Sequence, residues 1–285
     1  YHGIVTQLKK LYTGKWISTG ISKGGETTLI YKSKYPKDVD IVIPYVAPLI
    51  NTCEDPRTTE HINTVGTLEC RAKITAFQRS VLQNRSEVMS VFSHYATTNK
   101  MQFTQVPMAE ALEYAVLEFS FSFWQWGGKC DEIPQPNASP KELFDYLNKI
   151  VGVGTYDDQG YYNYLPSFYQ HLSELGYYGF DLTPVADLLT IVKSSSNDRF
   201  EPKDVTIKYN PKYIKKVRNY VENKGDKILY IYGGYDTWYS CAPTPKPNVD
   251  ALKMVLPTGS HKTRVKDFSD QDKKIIMEKL NKWLE

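Results

Sequence analysis

A serine between two glycines near the start of the chain has the spacing of an activated nucleophile. The segment Gly20-Ile-Ser22-Lys-Gly24 matches the Gly-x-Ser-x-Gly pattern of a nucleophile elbow, a turn so tight that neighbouring positions cannot carry side chains. An apolar stretch precedes the segment and a helical stretch follows it, which is the context that this turn requires. Ser22 is therefore the predicted nucleophile. The alternative is a serine that only caps the following helix.

A serine nucleophile needs a base, and the base needs a carboxylate that orients it. Asp236 follows a Tyr-Gly-Gly-Tyr segment, and His261 follows a Thr-Gly-Ser segment, each just after a predicted strand. The order serine, acid, histidine is that of hydrolases with a nucleophile elbow. We therefore predict Asp236 as the acid and His261 as the base. The remaining histidines are interpreted as surface or structural groups: His2, His61, His94 and His171.

Four apolar stretches predict the strands that position these residues, namely residues 15–19, 40–46, 227–232 and 250–256. Helical patterns cover residues 1–11, 26–34, 211–223 and 270–284. The order strand, helix, strand around Ser22 is a βαβ unit, so the predicted class is α/β with a parallel sheet. Because the carboxyl ends of parallel strands share one edge, the three candidate residues are expected to meet there.

Helical periodicity replaces this pattern in the middle of the chain. We predict three parts: residues 1–57 as the core with the elbow, 58–200 as a helical cap that binds substrate, and 201–285 as the core with the acid and histidine loops. The strand at residues 15–19 would expose an unpaired edge, which natural proteins avoid. We therefore expect an upstream segment or a second chain to supply the missing N-terminal strands and the second oxyanion donor.

Composition narrows the possible partners. A net charge of +3 does not indicate nucleic acid or an anionic membrane as the main partner. No apolar run approaches the roughly 20 residues of a membrane span. No two of the four cysteines form a Cys-x-x-Cys motif, so their spacing does not indicate a metal site. We expect neither a metal nor another cofactor. Three disulfide pairings are possible; Cys53 and Cys241 both follow predicted strands, which suggests that pair and leaves Cys70 with Cys130.

Five segments are specific in combination: residues 16–25 (WISTGISKGG), 54–57 with 65–66 (EDPR, VG), 121–125 (FSFWQ), 174–179 (ELGYYG) and 232–236 (YGGYD). Together they resemble the bacterial secreted tripeptidyl aminopeptidases, which are distant relatives of prolyl carboxypeptidase and dipeptidyl peptidase II. The resemblance extends over essentially the whole chain.

The resemblance implies an α/β-hydrolase fold with a helical cap, in a secreted, periplasmic or cell-surface serine exopeptidase. Such an enzyme releases short peptides, tripeptides in particular, from free N-termini, with proline often before the scissile bond. It implies the same triad, with the backbone N–H of Lys23 as one oxyanion donor. Two alternatives stay open: an esterase or lipase-like hydrolase, and a non-catalytic binding protein on a hydrolase scaffold.

An aminopeptidase must bind the α-ammonium group of its substrate, and a partly enclosed carboxylate does this best. Candidates in the cap are Glu113, Glu118 and Glu174. The alternative is an internal salt bridge to an arginine such as Arg57 or Arg71. Two further candidates for substrate binding are Trp124 and Trp238, whose rings could stack on the ring of a substrate proline. The alternative is that both side chains only pack in the core.

Overall fold

The computed structural model describes residues 1–285, which form two compact units. Unit 1 consists of Tyr1–Asn51 and Pro211–Glu285, and unit 2 consists of Thr52–Asn210. The sequence pattern predicted boundaries at 57/58 and 200/201. The division falls outside these positions because residues near both ends of unit 2 bond within it: the Asp55 N–H donates to Tyr177 O (3.0 Å) and the Asn210 N–H to Ser173 O (2.8 Å).

Unit 1 contains a parallel sheet of four strands in the order β1-β2-β3-β4: β1 Ile17–Ile21, β2 Ile41–Tyr45, β3 Ile228–Gly233 and β4 Ala251–Leu256. All three strand pairs are parallel, so all carboxyl ends lie at one edge of the sheet. The α/β class is thereby confirmed, and the architecture is compatible with an α/β-hydrolase fold carrying a helical insertion.

The chain contains ten α-helices: α1 His2–Leu8, α2 Lys23–Lys34, α3 Pro56–Thr64, α4 Leu68–Gln83, α5 Arg85–Thr98, α6 Met108–Trp126, α7 Pro140–Val151, α8 Asp158–Gln170, α9 Lys212–Asn223 and α10 Asp270–Leu284. Unit 1 contains α1, α2, α9 and α10, and unit 2 contains α3 to α8. No helix combines the length and apolarity needed to cross a lipid bilayer.

The core of unit 1 lies between the sheet and α10. β3 is buried along its whole length, which agrees with the continuous apolar run of its sequence. Its side chains pack in a cluster with residues of β2, of α10 and of the loop just before α10: Ile41, Leu229, Ile231, Phe268, Ile276 and Trp283. β1 differs, because it forms one end of the sheet and exposes 47% of Ile17 and 49% of Ile21. The sheet is thus buried at its centre and exposed along β1.

Unit 2 is built around α6, which is apolar on nearly all sides and buried over most of its length. Its packing partners include α4 and α7. A disulfide joins Cys70 on α4 to Cys130, just beyond the end of α6. This pair was the one that the sequence suggested. The second suggested pair is wrong, since Cys53 and Cys241 are thiols.

Candidate active site

Ser22 occupies the sharp turn between β1 and α2. Its backbone has φ 56° and ψ −125°, a combination that side-chain-bearing residues rarely adopt. A Cβ on Gly20 would lie 2.2 Å from Gly24 O, and one on Gly25 would lie 2.7 Å from the Ala47 side chain. Close approach therefore requires glycine at positions 20 and 25, whereas a Cβ on Gly24 would meet nothing within 4 Å. The turn has the geometry of a nucleophile elbow.

Asp236 and His261 form a hydrogen-bonded pair on the loops after β3 and β4. The distance between His261 Nδ1 and Asp236 Oδ2 is 2.7 Å, and both side chains are buried. The loops touch closely: the Tyr235 N–H donates to Gly259 O (2.9 Å). Since Asp236 engages Nδ1, the imidazole is held in the tautomer whose Nε2 accepts a proton. This is the arrangement of an oriented general base.

The elbow and the histidine loop are connected through the end of β2. The Ser22 N–H donates to the Tyr45 carbonyl (2.9 Å). The Arg264 guanidinium lies over the Tyr45 ring, 5.6 Å from its centre, and donates to the His261 carbonyl (3.1 Å). Sequence reasoning missed Arg264, because only its spacing from His261 could have suggested a role. All three predicted catalytic residues thus follow strands at the same edge of the sheet.

Lys23 is the first residue of α2, so its backbone N–H belongs to the positive end of that helix. N–H groups at such a terminus favour negative charge without having to reorient. Burial lowers the pKa of the Lys23 ammonium group, and the nearby Glu26 opposes this effect. The position is suitable for an oxyanion donor beside Ser22.

Glu113, a candidate for substrate binding, is fully occupied by internal partners. Its carboxylate forms a salt bridge with Arg85 (2.7 Å). It also accepts the N–H groups of three successive residues, Thr190 (2.8 Å), Ile191 (3.0 Å) and Val192 (2.7 Å). Burial alone would raise the pKa of Glu113, but these donors outweigh it and hold the pKa below its usual value. Glu113 therefore has no remaining capacity for a substrate ammonium group.

The arginines that the sequence proposed as partners of the cap glutamates make other contacts. The Arg57 guanidinium pairs with Asp55 at 2.7 Å. The Arg71 guanidinium donates to three successive main-chain carbonyls, those of residues 64, 65 and 66. The sequence offered an internal salt bridge as the alternative to substrate binding by these glutamates. Glu113 forms such a bridge, but with Arg85.

Glu118 lies on the same helix in a different environment. Its buried carboxylate accepts hydrogen bonds from Ser122 Oγ (2.7 Å) and Tyr178 OH (2.5 Å), and no lysine, arginine or histidine pairs with it. Burial raises its pKa to about 7, although the two hydroxyl donors oppose the shift. Two further phenols interact with its charge, Tyr156 and Tyr177. The arrangement is an aromatic-walled anionic group that lacks a cation.

The other three candidates lie in contrasting positions. Glu174 is exposed on the π-helical turn His171–Leu175. Trp124 is buried in unit 2, where its ring packs edge-on against Phe123. Trp238 is buried in unit 1 and donates its backbone N–H to Asp236 Oδ1 (3.2 Å). Trp238 therefore adjoins the acid directly, whereas Trp124 packs in the core of its own unit.

The protein is built as serine hydrolases are: it is an α/β protein with a serine at a nucleophile elbow and an Asp–His pair at the same edge of the sheet. The chain belongs to the PS-10 peptidase S37 family, which it matches over residues 1–283. The resemblance to serine aminopeptidases that the sequence motifs indicated is thereby confirmed at the level of the family.

A curated relative is the prolyl tri/tetrapeptidyl aminopeptidase of Streptomyces mobaraensis. The two proteins are 30% identical over 241 residues, which is 83% of this chain and 50% of the relative. The chain therefore spans about half the length of the relative that it matches.

Proposed function

We propose that this protein is a secreted serine aminopeptidase that releases tri- or tetrapeptides from free N-termini, with proline before the scissile bond. The observation that carries the proposal is the buried hydrogen bond between His261 and Asp236 at the sheet edge where Ser22 occupies a strained elbow. Membership of the S37 family and the activity named for the Streptomyces relative support it. The Cys70–Cys130 disulfide supports export, since such bonds persist in oxidising compartments.

In this mechanism Ser22 Oγ attacks the scissile carbonyl carbon while His261 Nε2 takes the hydroxyl proton. Asp236 stabilises the imidazolium that forms, and the Lys23 N–H donates to the tetrahedral oxyanion. The imidazolium then protonates the leaving amine, and the C–N bond breaks to give an acyl-enzyme. Water attacks the ester, again with His261 as base, which frees the short peptide and regenerates Ser22.

The test uses a fluorophosphonate probe and a peptide series. The probe should label the wild-type protein and not Ser22→Ala, and hydrolysis should fall roughly 10⁶-fold in that variant. A tripeptidyl nitroanilide ending in proline should be cleaved with a free amine and resist cleavage when N-acetylated. Equal rates on the two substrates would disprove the aminopeptidase assignment. Faster turnover of short-chain nitrophenyl esters than of any peptide would favour an esterase.

We further propose that Glu118 binds the substrate α-ammonium group. Hydroxyl groups alone stabilise the buried carboxylate of Glu118, so binding a cation would stabilise its charge further. The aromatic surroundings add to this, because ring faces attract ammonium groups. The ratio of cleavage rates for free and acetylated substrates in a Glu118 variant tests the assignment.

We also propose that further polypeptide, from a longer form of the chain or from a second chain, covers the β1 edge. Besides the exposed Ile17 and Ile21, a groove of about 450 Å³ runs beside β1 between α1 and α2. α1 itself buries no residue. Unpaired apolar edges promote association.

Residues 1–285 produced alone should therefore bind a hydrophobic dye, and the double variant Ile17→Thr, Ile21→Thr should bind less. The same two-residue change on the exposed face of α10, Ile275→Thr with Met277→Thr, serves as the control. A monomeric, cooperatively folding and fully active fragment would contradict the proposal.

A further inference from the structure

One buried carboxyl in unit 1 has no role in the mechanism above. Glu26 lies in the first turn of α2, four residues beyond Ser22, and its side chain is 0% exposed. Neither carboxyl oxygen has a hydrogen-bond partner. Its backbone N–H donates to the Ser22 carbonyl (2.9 Å). An unpartnered buried carboxylate is among the most costly groups that a protein can contain, so the neutral acid is the form that this site tolerates.

The surroundings of Glu26 supply little charge. α2 packs against β1, β2 and α9. The two strands carry a single titratable side chain, Tyr45. α9 buries Ile214, Val217 and Val221, and its inward-reaching Arg218 is bonded to Glu222 and to main-chain carbonyls. The charge that opposes the effect of burial on the pKa of Glu26 is that of Lys23, on the same helix.

We propose that Glu26 is a positioning residue whose carboxyl works as a neutral group, and that its ionisation weakens the oxyanion site at the start of α2. This inference rests on the proposed function of Ser22 and Lys23. In the neutral form the N-terminus of α2 keeps its full positive potential for the tetrahedral anion. In the ionised form a negative charge lies about 6 Å farther along the helix axis, since each residue rises about 1.5 Å.

The effect of that charge is large enough to measure. Repulsion between two full like charges at this separation, with an effective dielectric constant of about 20, would slow the step by up to roughly a hundredfold. The oxyanion carries only part of its charge in the transition state, so the expected loss is roughly tenfold. Burial raises the pKa of Glu26 to about 8, and Lys23 opposes this shift. The loss of rate should therefore occur on the alkaline side of neutrality.

The experiment measures the rate at which a neutral alkyl fluorophosphonate inactivates the protein between pH 6 and pH 10. This probe has no amine, so deprotonation of a substrate N-terminus cannot imitate the effect. The wild-type rate should fall roughly tenfold as the pH rises above 8. In Glu26→Gln the fall should be absent, because the amide cannot ionise. Glu26→Met provides a second neutral side chain of similar volume if the amide disturbs folding.

Glu87→Gln is the matched control, since Glu87 is an exposed glutamate in the first turn of another helix, α5. Its profile should keep the alkaline fall. An alkaline fall that persists in both Glu26→Gln and Glu26→Met would overturn the inference while leaving the proposed function intact. A wild-type protein that the probe does not label would instead refute the proposed function.

Discussion

Glu113 and Glu118 lie five residues apart on α6, and both carboxyl groups are buried. Glu113 meets Arg85 and three successive main-chain N–H groups, which keep its pKa low. Glu118 meets two hydroxyl groups and no cation, and its pKa is raised to about 7. Burial of an acid therefore does not reveal its role. A carboxylate whose charge is fully matched inside the fold stabilises that fold, and one left without a cation is available to bind one.

The largest expected effect is on folding. Glu113→Gln should lower the free energy of unfolding at pH 7 by about 3 kcal/mol, because Arg85 loses its partner and the donor array is only partly satisfied. Urea denaturation measures this. The folded-state pKa of Glu113 is lowered, so its contribution is present above the unfolded value near 4.5 and is lost as pH falls through the folded value. The loss of unfolding free energy in Glu113→Gln should therefore become smaller at acidic pH. A loss that does not depend on pH would contradict the role of the ion pair.

Glu118→Gln should behave in the opposite way. Because the folded-state pKa of Glu118 is raised from 4.5 to about 7, its ionisation costs stability as pH rises through that interval. Between pH 4 and pH 8 the free energy of unfolding of the variant should rise by about 3 kcal/mol relative to wild type. With about 1 kcal/mol lost in hydrogen bonds at every pH, the variant should be about 1 kcal/mol less stable near pH 4 and about 2 kcal/mol more stable at pH 8.

The same variant should lose most of the preference for free over acetylated substrates, on the order of 10- to 100-fold in kcat/KM. Glu113→Gln provides the control, because the folded molecules of that variant should keep the preference for free over acetylated substrates. Destabilisation of Glu118→Gln at pH 8 with an unchanged substrate preference would mean that the two glutamates do not differ in role.

The smallest expected effect concerns Tyr178. Its hydroxyl lowers the pKa of Glu118, so Tyr178→Phe should raise that pKa by up to about one unit. Binding of an ammonium group needs the ionised carboxylate. The acidic limb of kcat/KM for free-amine substrates should therefore move to higher pH, and Ser122→Ala should move it in the same direction. A limb that stays in place in both variants would exclude Glu118 as the titrating group.

The sheet of unit 1 could be predicted from sequence because each of its signals is local. Parallel strands bury both faces and show as short apolar runs, and the elbow shows as glycines at fixed spacing. Even so, β1 begins at Ile17 and extends to Ile21, whereas residues 15–19 were predicted. The strand continues directly into the elbow, and a hydrophobicity pattern does not mark that transition.

The environments of the acidic residues could not be predicted, because they depend on pairs far apart in sequence. Tyr178 is sixty residues from Glu118, and helical periodicity defines a buried face without stating which side chains meet there. Glu26 was missed for a simpler reason: glutamate is almost always exposed, and its neighbours include polar threonines. The sequence did contain one signal that Glu26 is buried. The residue lies one turn after the elbow serine, on the side of the helix that carries Gly25 and Leu29.

The hydrogen bonds at the two ends of unit 2 have a consequence for folding. Thr52 O accepts the Tyr177 N–H (3.2 Å), and the Asn210 N–H donates to Ser173 O (2.8 Å), so one short segment holds both the entry and the exit of the insertion. Closing a long flexible loop between β2 and β3 would carry a large entropic cost. An insertion that ties its own ends together removes most of that cost. For strand pairing, the 159 intervening residues of Thr52–Asn210 then act as a short connection.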